Sequence, residues 1–195
     1  MAFQGERGAF SEEAALKMMG EQIELVPRVT FDALFSSVAD HVADYLVAPV
    51  ENSIAGVVRA SVTLLERSAL VITNEVAIPI EQHLIACPGV SFAELEAVQS
   101  HPVALAQCSR FFAENPQLRQ VAANDTAGSV AEIITRSERT VAAIAGRRAA
   151  EIYGGIILKE NIQDSTQNFT RFVLLSPSEL LNNENNLSLE KEPEK

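Results

Sequence analysis

Short apolar runs alternate with polar or glycine-bearing turns and with amphipathic stretches along nearly the whole chain. The runs at residues 1–3, 23–27, 44–50, 71–79, 83–86, 140–145, 156–158 and 168–175 predict strands. Between them, helices are predicted over about 12–19, 31–40, 57–67, 127–137 and 147–153, with another running from Ser100 past Phe111. Local signals support these assignments. Ser11 reads as an N-cap with Glu12 and Glu13 in the first turn, and Ser100 as an N-cap with Pro102 just inside. Asp125 or Thr126 caps the helix that follows, and Gly154-Gly155 stops the last one. Val58, Val62 and Leu65, spaced by four and three, mark a packing face. Strands and helices that alternate in this way predict an α/β fold with helices laid on a sheet.

Composition narrows the class. A chain of 195 residues with 47% hydrophobic positions suits one domain or two small lobes and can bury a sizeable core. No run is long and apolar enough to span a bilayer, and no secretory signal pattern is visible, so the expectation is no membrane and a cytoplasmic location. Cys87 and Cys108 stand in unrelated contexts, which suits a reducing compartment. His41, His83 and His101 are too scattered for a metal site. A net charge of −11 argues against nucleic acid. Part of that acidity lies in residues 178–195, a polar tail expected to be disordered or a frayed helix.

The chemistry-bearing residues sit where strands end. Asn168, Thr170 and Arg171 crowd the start of the apolar run Phe172–Leu175, and Leu46–Val50 runs directly into Glu51-Asn52-Ser53. Hydroxyls and amides recur around Ser11, Ser100 and Thr126. Any one of these is an ordinary cap or turn residue, and His101 alone reads more readily as a turn residue than as a catalyst. Together, at strand ends where open α/β sheets bind ligands, they predict a cleft that holds a charged small molecule with neutral donors. Gly5 and Gly8 allow a close backbone approach to an anion but lack a dinucleotide signature. On the Ser100 helix, Gln107 shares the face of the helix start and Phe111 points further along it into the core. The chain leaves a first lobe near Pro79 and returns near Asn161. This divides it into 1–78 plus 161–177 and 79–160, a two-lobed arrangement resembling the periplasmic-binding-protein (type II) architecture with the active site in the interlobe cleft.

The runs FQGERGAFSEEAA at 3–15, PVENSIAG at 49–56, SHPVALAQC at 100–108, DTAG at 125–128 and NFTRFVLL at 168–175 resemble the prephenate dehydratase catalytic domain, whose plant-type relatives act on arogenate. The resemblance covers residues 2–176 in family order. It implies a two-lobed α/β fold, no cofactor and no metal, a small-molecule substrate and a homodimer. It places the key threonine at Thr170 and the cleft amide at Asn52, with Ser100 as a third catalytic position. Ser53, His101, Gln107, Thr126, Arg171 and Phe172 are then the expected substrate contacts, and Ala9, Phe10 and Ser11 belong to the loop that closes over the substrate. Gln4-Gly5 and Ala9 stand where many bacterial members have Leu-Gly-Pro and Thr, a version nearer the arogenate-using relatives. The motifs of the phenylalanine-sensing ACT domain that usually follows are not seen, and the acidic tail occupies their place.

The reaction so implied removes carbon dioxide and water from prephenate to give phenylpyruvate, driven by aromatisation. The enzyme's part is to help hydroxide leave while electrons arrive from the departing carboxylate. Threonine is a poor acid, so a preorganised hydrogen bond from Thr170 to the leaving oxygen is easier than full proton transfer. Two alternatives are an arogenate dehydratase and a non-catalytic clamp that binds an amino acid or keto acid.

Overall fold

In a computed structural model of the protein the described residues are 1–180. Two mixed sheets carry the fold, and the chain passes from the first to the second and back.

The first sheet collects β1 (Ala2–Gln4), β2 (Val26–Arg28), β3 (Leu46–Asn52), β5 (Leu70–Pro79) and β11 (Phe169–Pro177) in the order β2-β1-β3-β11-β5, with the short β4 (Gly56–Val57) paired to β3. β1 runs parallel to both neighbours, whereas β11 enters antiparallel between β3 and β5. The second sheet orders β6 (His83–Ala86), β7 (Ala97–Ser100), β8 (Arg119–Ala122), β9 (Val141–Ala145) and β10 (Ile156–Lys159) as β10-β6-β9-β7-β8. The strand runs are apolar on both faces because both faces are covered. Leu34, Leu46, Ala48 and Val173 pack on one side of the first sheet, and Phe3, Val47, Ile78 and Phe172 on the other. Around the second sheet the same division separates Leu84, Val98 and Ile144 from Ile85, Ala143 and Ala145.

Helices α1 (Phe10–Met19), α2 (Phe31–Ala39) and α3 (Arg59–Arg67) belong to the first sheet. The second carries α4 (Pro102–Ala106), α5 (Ser109–Glu114), α6 (Thr126–Thr135) and α7 (Arg147–Tyr153). Three local expectations change. Ala9 rather than Ser11 is the N-cap of α1, and Ser11 lies inside the helix. The cap of α4 is His101, whose Nδ1 accepts from Val103 N, because Ser100 is still the last residue of β7. The helix expected to run from Ser100 past Phe111 is broken at Gln107-Cys108. Asp164, on the returning segment, causes that break: its N–H donates to the Gln107 carbonyl (2.7 Å), and its carboxylate accepts from Ser109 N (3.0 Å), Ser109 Oγ (2.6 Å) and Arg110 N (2.9 Å). A carboxylate supplied from elsewhere in the chain thus caps a new helix where the local sequence would continue the old one. Residues 178–180 are helical, and the rest of the expected tail, 181–195, lies outside the described residues.

The loop before α1 presses against the second sheet's α7. Gly8 adopts φ +85°, and a Cβ there would stand 2.7 Å from Ala149 Cα, so the backbones meet at a distance only glycine allows. Glu12 completes this contact. Fully buried, its carboxylate accepts from Gly8 N (2.7 Å), Arg7 Nε (3.0 Å) and Arg148 (Nε 3.1 Å, Nη2 3.0 Å). Burial pushes the acid's pKa up, but the Arg7, Gly8 and Arg148 hydrogen bonds outweigh it and hold it below 4.5. The two sheets are therefore tied by an ion pair as well as by the chain crossings.

Candidate active site

Between the sheets lies a cavity of about 360 Å³, within the range of small-molecule sites. Its first wall comes from the start of α1 and from β3 and β11, its second from both ends of α4 and from the start of α6. Apolar lining comes from Pro49, Val58, Ile80, Val103 and Phe172, and among the described residues no lysine or arginine lines it.

Thr170 and Asn52 face each other directly across the β3–β11 ladder. The Asn52 amide is fixed at both ends. Its Oδ1 accepts from Ile54 N (3.0 Å) and Ala55 N (2.8 Å). Its Nδ2 is thereby turned toward Asn168 Oδ1 (2.7 Å), Thr170 Oγ1 (2.9 Å) and the Phe169 carbonyl (3.2 Å). Two backbone donors on the oxygen settle which end of the amide is which. Thr170 Oγ1 thus accepts from an N–H, and its own proton is left to donate elsewhere, on a side chain that lines the cavity. The pair presents a positioned, polarised O–H to whatever occupies the cavity.

Of the other residues expected from the sequence, Ala9, Phe10, Ser11, His101, Gln107, Thr126 and Phe172 also line the cavity. The Val103 N–H on His101 Nδ1 leaves Nε2 to carry the proton of the neutral ring. Three expected residues are placed elsewhere. Ser100 is fully buried, and its hydroxyl donates to the Ile144 carbonyl (2.6 Å), tying β7 to β9 from within. Ser53 closes the same end of the β3–β11 pair just beyond Asn52, donating to the Gln167 carbonyl (2.9 Å) and accepting from Phe169 N (3.0 Å). Arg171 points outward to Glu75 (3.2 Å) and Glu51 (3.7 Å) on the flanking strands. Strand alternation explains it: Thr170 and Phe172 face in, so the residue between them faces out.

Sequence reasoning missed three participants and left a fourth without a role. Asn168, noted beside Thr170 but assigned no task, is buried and braces Asn52. Glu12 gave only the signal of a first-turn acid. Gln82 and Asn124 line the cavity; Gln82 lies away from the polar strand ends, and Asn124 stands at the Thr126 junction but was passed over for the cap residues beside it. Among the described residues no group of three His, Cys, Asp or Glu could hold a metal, and no helix is long and apolar enough to cross a membrane.

Comparison with known proteins agrees with this geometry. Residues 1–179 match the family of prephenate dehydratase. A curated relative, arogenate dehydratase/prephenate dehydratase 1, chloroplastic, of Arabidopsis thaliana, is 41% identical over 176 residues, which are 90% of this chain and 44% of that protein. Two solved structures superpose well. One is a prephenate dehydratase from Arthrobacter aurescens in complex with L-Phe (TM-score 0.83, 29% identity, 90% of this chain and 59% of that one). The other is GqqA, a novel type of quorum quenching acylase (TM-score 0.80, 33% identity, 90% of this chain and 63% of that one). The chain thus spans less than two thirds of each of these proteins. With a family match along nearly its whole length, the chain belongs to the prephenate dehydratase family.

Proposed function

We propose that this chain catalyses the decarboxylating dehydration of prephenate to phenylpyruvate, a hydro-lyase step in phenylalanine biosynthesis. The observation that carries the reading is the Thr170 O–H, polarised by Asn52 Nδ2 at 2.9 Å, on the wall of a cavity that no lysine or arginine among the described residues lines. In the reaction the bond from C1 to the ring carboxylate breaks and releases carbon dioxide. The electron pair moves through the ring, and the C4–O bond breaks to release hydroxide, which takes a proton to become water. Negative charge thus leaves the carboxylate and appears on the departing oxygen. A donor that tightens as that charge develops stabilises the transition state more than the ground state. A cation at the ring carboxylate would do the reverse, since the charge it held would vanish.

Arogenate differs only in carrying an ammonium where prephenate has a keto group, so the same chemistry would yield phenylalanine. An amide hydrolase has less support, because a nucleophile needs a base beside it, and the group beside Thr170 Oγ1 is an N–H donor. Within the same proposal the working unit is a homodimer, for which the exposed Ile72 on the outer strand β5 offers a contact surface.

The test is direct. Purified protein incubated with prephenate should produce phenylpyruvate, read by its absorbance in alkali, and with arogenate it should produce phenylalanine. Binding of either without product would leave a clamp and reject the enzyme.

A further inference from the structure

Three buried side-chain atoms among the described residues lack a hydrogen-bond partner: Ser61 Oγ, Gln82 Oε1 and Asn168 Nδ2. Of these residues, only Gln82 lines the cavity. It is 2% exposed and lies in the stretch that carries the chain from β5 to β6. Its backbone is held on both sides by the returning chain, its N–H donating to Gln163 Oε1 (2.9 Å) and its carbonyl accepting from Ile162 N (2.9 Å). The main chain is therefore fixed while the amide has nothing to do. A buried amide with an orphaned oxygen costs stability, and such a group on a cavity wall points to a ligand that completes it.

Its place relative to Thr170 suggests which part of the ligand it meets. Thr170 pairs with Ile78 on β5, and Gln82 is four residues further on, at most about 14 Å along an extended chain. A one-ring substrate whose hydroxyl lies at Thr170 carries its three-carbon side chain at the opposite end of the ring. An amide can rotate by half a turn, offering Nε2 to an acceptor or Oε1 to a donor.

Resting on the dehydratase reading above, we infer that Gln82 is a specificity-determining residue that hydrogen-bonds the substrate's side chain at the carbon next to its carboxylate. Nε2 donates to a keto oxygen there, and Oε1 accepts from an ammonium. This one residue accepts both the keto acid and the amino acid, and a replacement able to do only one of these biases the site.

The experiment measures kcat/KM for prephenate and for arogenate in wild type, Gln82→Leu and Gln82→Glu. Gln82→Leu removes both hydrogen-bonding ends. It should lower kcat/KM about tenfold or more for both substrates, chiefly through KM, while melting no lower than wild type because the orphaned polar group is gone. Gln82→Glu keeps the size and, when ionised, only accepts. It should raise the arogenate-to-prephenate ratio about tenfold or more, which a merely structural role would not do. If Gln82→Leu stays within about twofold for both substrates, or Gln82→Glu changes both by one factor, the assignment is wrong. Should wild type turn over neither substrate, the dehydratase reading fails by itself. Calorimetric binding of phenylpyruvate and phenylalanine then decides on Gln82: Gln82→Glu should favour phenylalanine, and equal weakening, or no binding by wild type, overturns the inference.

Discussion

The two walls of the cavity are built by different means. The first is a strand-borne wall in which the Asn52 amide is engaged at both ends and only the Thr170 proton is left to donate. Asn52 Oδ1 holds two backbone N–H groups, its Nδ2 faces three acceptors, and Thr170 Oγ1 receives one of those protons. The second wall is helix-borne. Gln107 caps the end of α4, Thr126 opens α6 and His101 precedes α4, so their positions follow from short helices joined by loops. Ladder register fixes an opposed pair to within a hydrogen bond, whereas a helix end can move with its helix. A reaction that needs an O–H aimed at one atom belongs on the first wall. Recognition of the substrate's remaining polar groups can be left to the second. Bridging both is the Glu12–Arg148 pair, which sets how far apart they stand.

This division can be broken in several ways. The largest effect is expected from Thr170→Val, which keeps the strand but removes the donor. Turnover should fall roughly 10²–10⁴-fold with little change in melting temperature. A variant retaining a third of wild-type kcat would put the chemistry elsewhere.

Next is Asn52→Asp, nearly isosteric but with an acceptor where Nδ2 was. The Thr170 proton would then point inward to the new carboxylate, and kcat should drop about 10²–10³-fold. A change confined to KM would make Asn52 a binding residue and dissolve the contrast between the walls.

Arg148→Met addresses the bridge. It leaves the buried Glu12 carboxylate with Arg7 and Gly8 N alone and should cost about 2–3 kcal/mol in unfolding free energy, somewhat less than loss of a wholly buried pair. The pH profile gives a second reading. Because the folded protein holds the Glu12 pKa below 4.5, its contribution is present above that value and is lost as pH falls through the lower folded pKa. Arg148→Met should flatten this acid limb of stability. Identical limbs in urea titrations of the two proteins would show that the pair contributes nothing.

The smallest effect belongs to the second wall. Gln107→Ala should raise KM about fivefold, on the scale of one hydrogen bond, with kcat within about twofold. An equal loss in kcat and kcat/KM would move Gln107 to the catalytic wall.

Periodicity and punctuation determined the α/β class, most strands and the clustering of polar residues at strand ends, because buried strands and capped helices must announce themselves in local composition. Asn52 and Thr170 were legible for the same reason: amides and hydroxyls at the ends of apolar runs are rare without a task. Other features depended on partners distant in sequence. Ser100 looked like a cap until β9 brought the Ile144 carbonyl to it, and Arg171 looked like a cleft cation until alternation and the flanking glutamates turned it outward. The break in the Ser100 helix required Asp164, 55 residues away from Ser109. Glu12 carried only the local mark of a first-turn acid, and Gln82 none. One is defined by an arginine 136 residues distant, the other by a cavity that exists only between two sheets. Local sequence encodes what a segment's own backbone needs, whereas the satisfaction of a buried polar group is decided by whatever the fold sets against it.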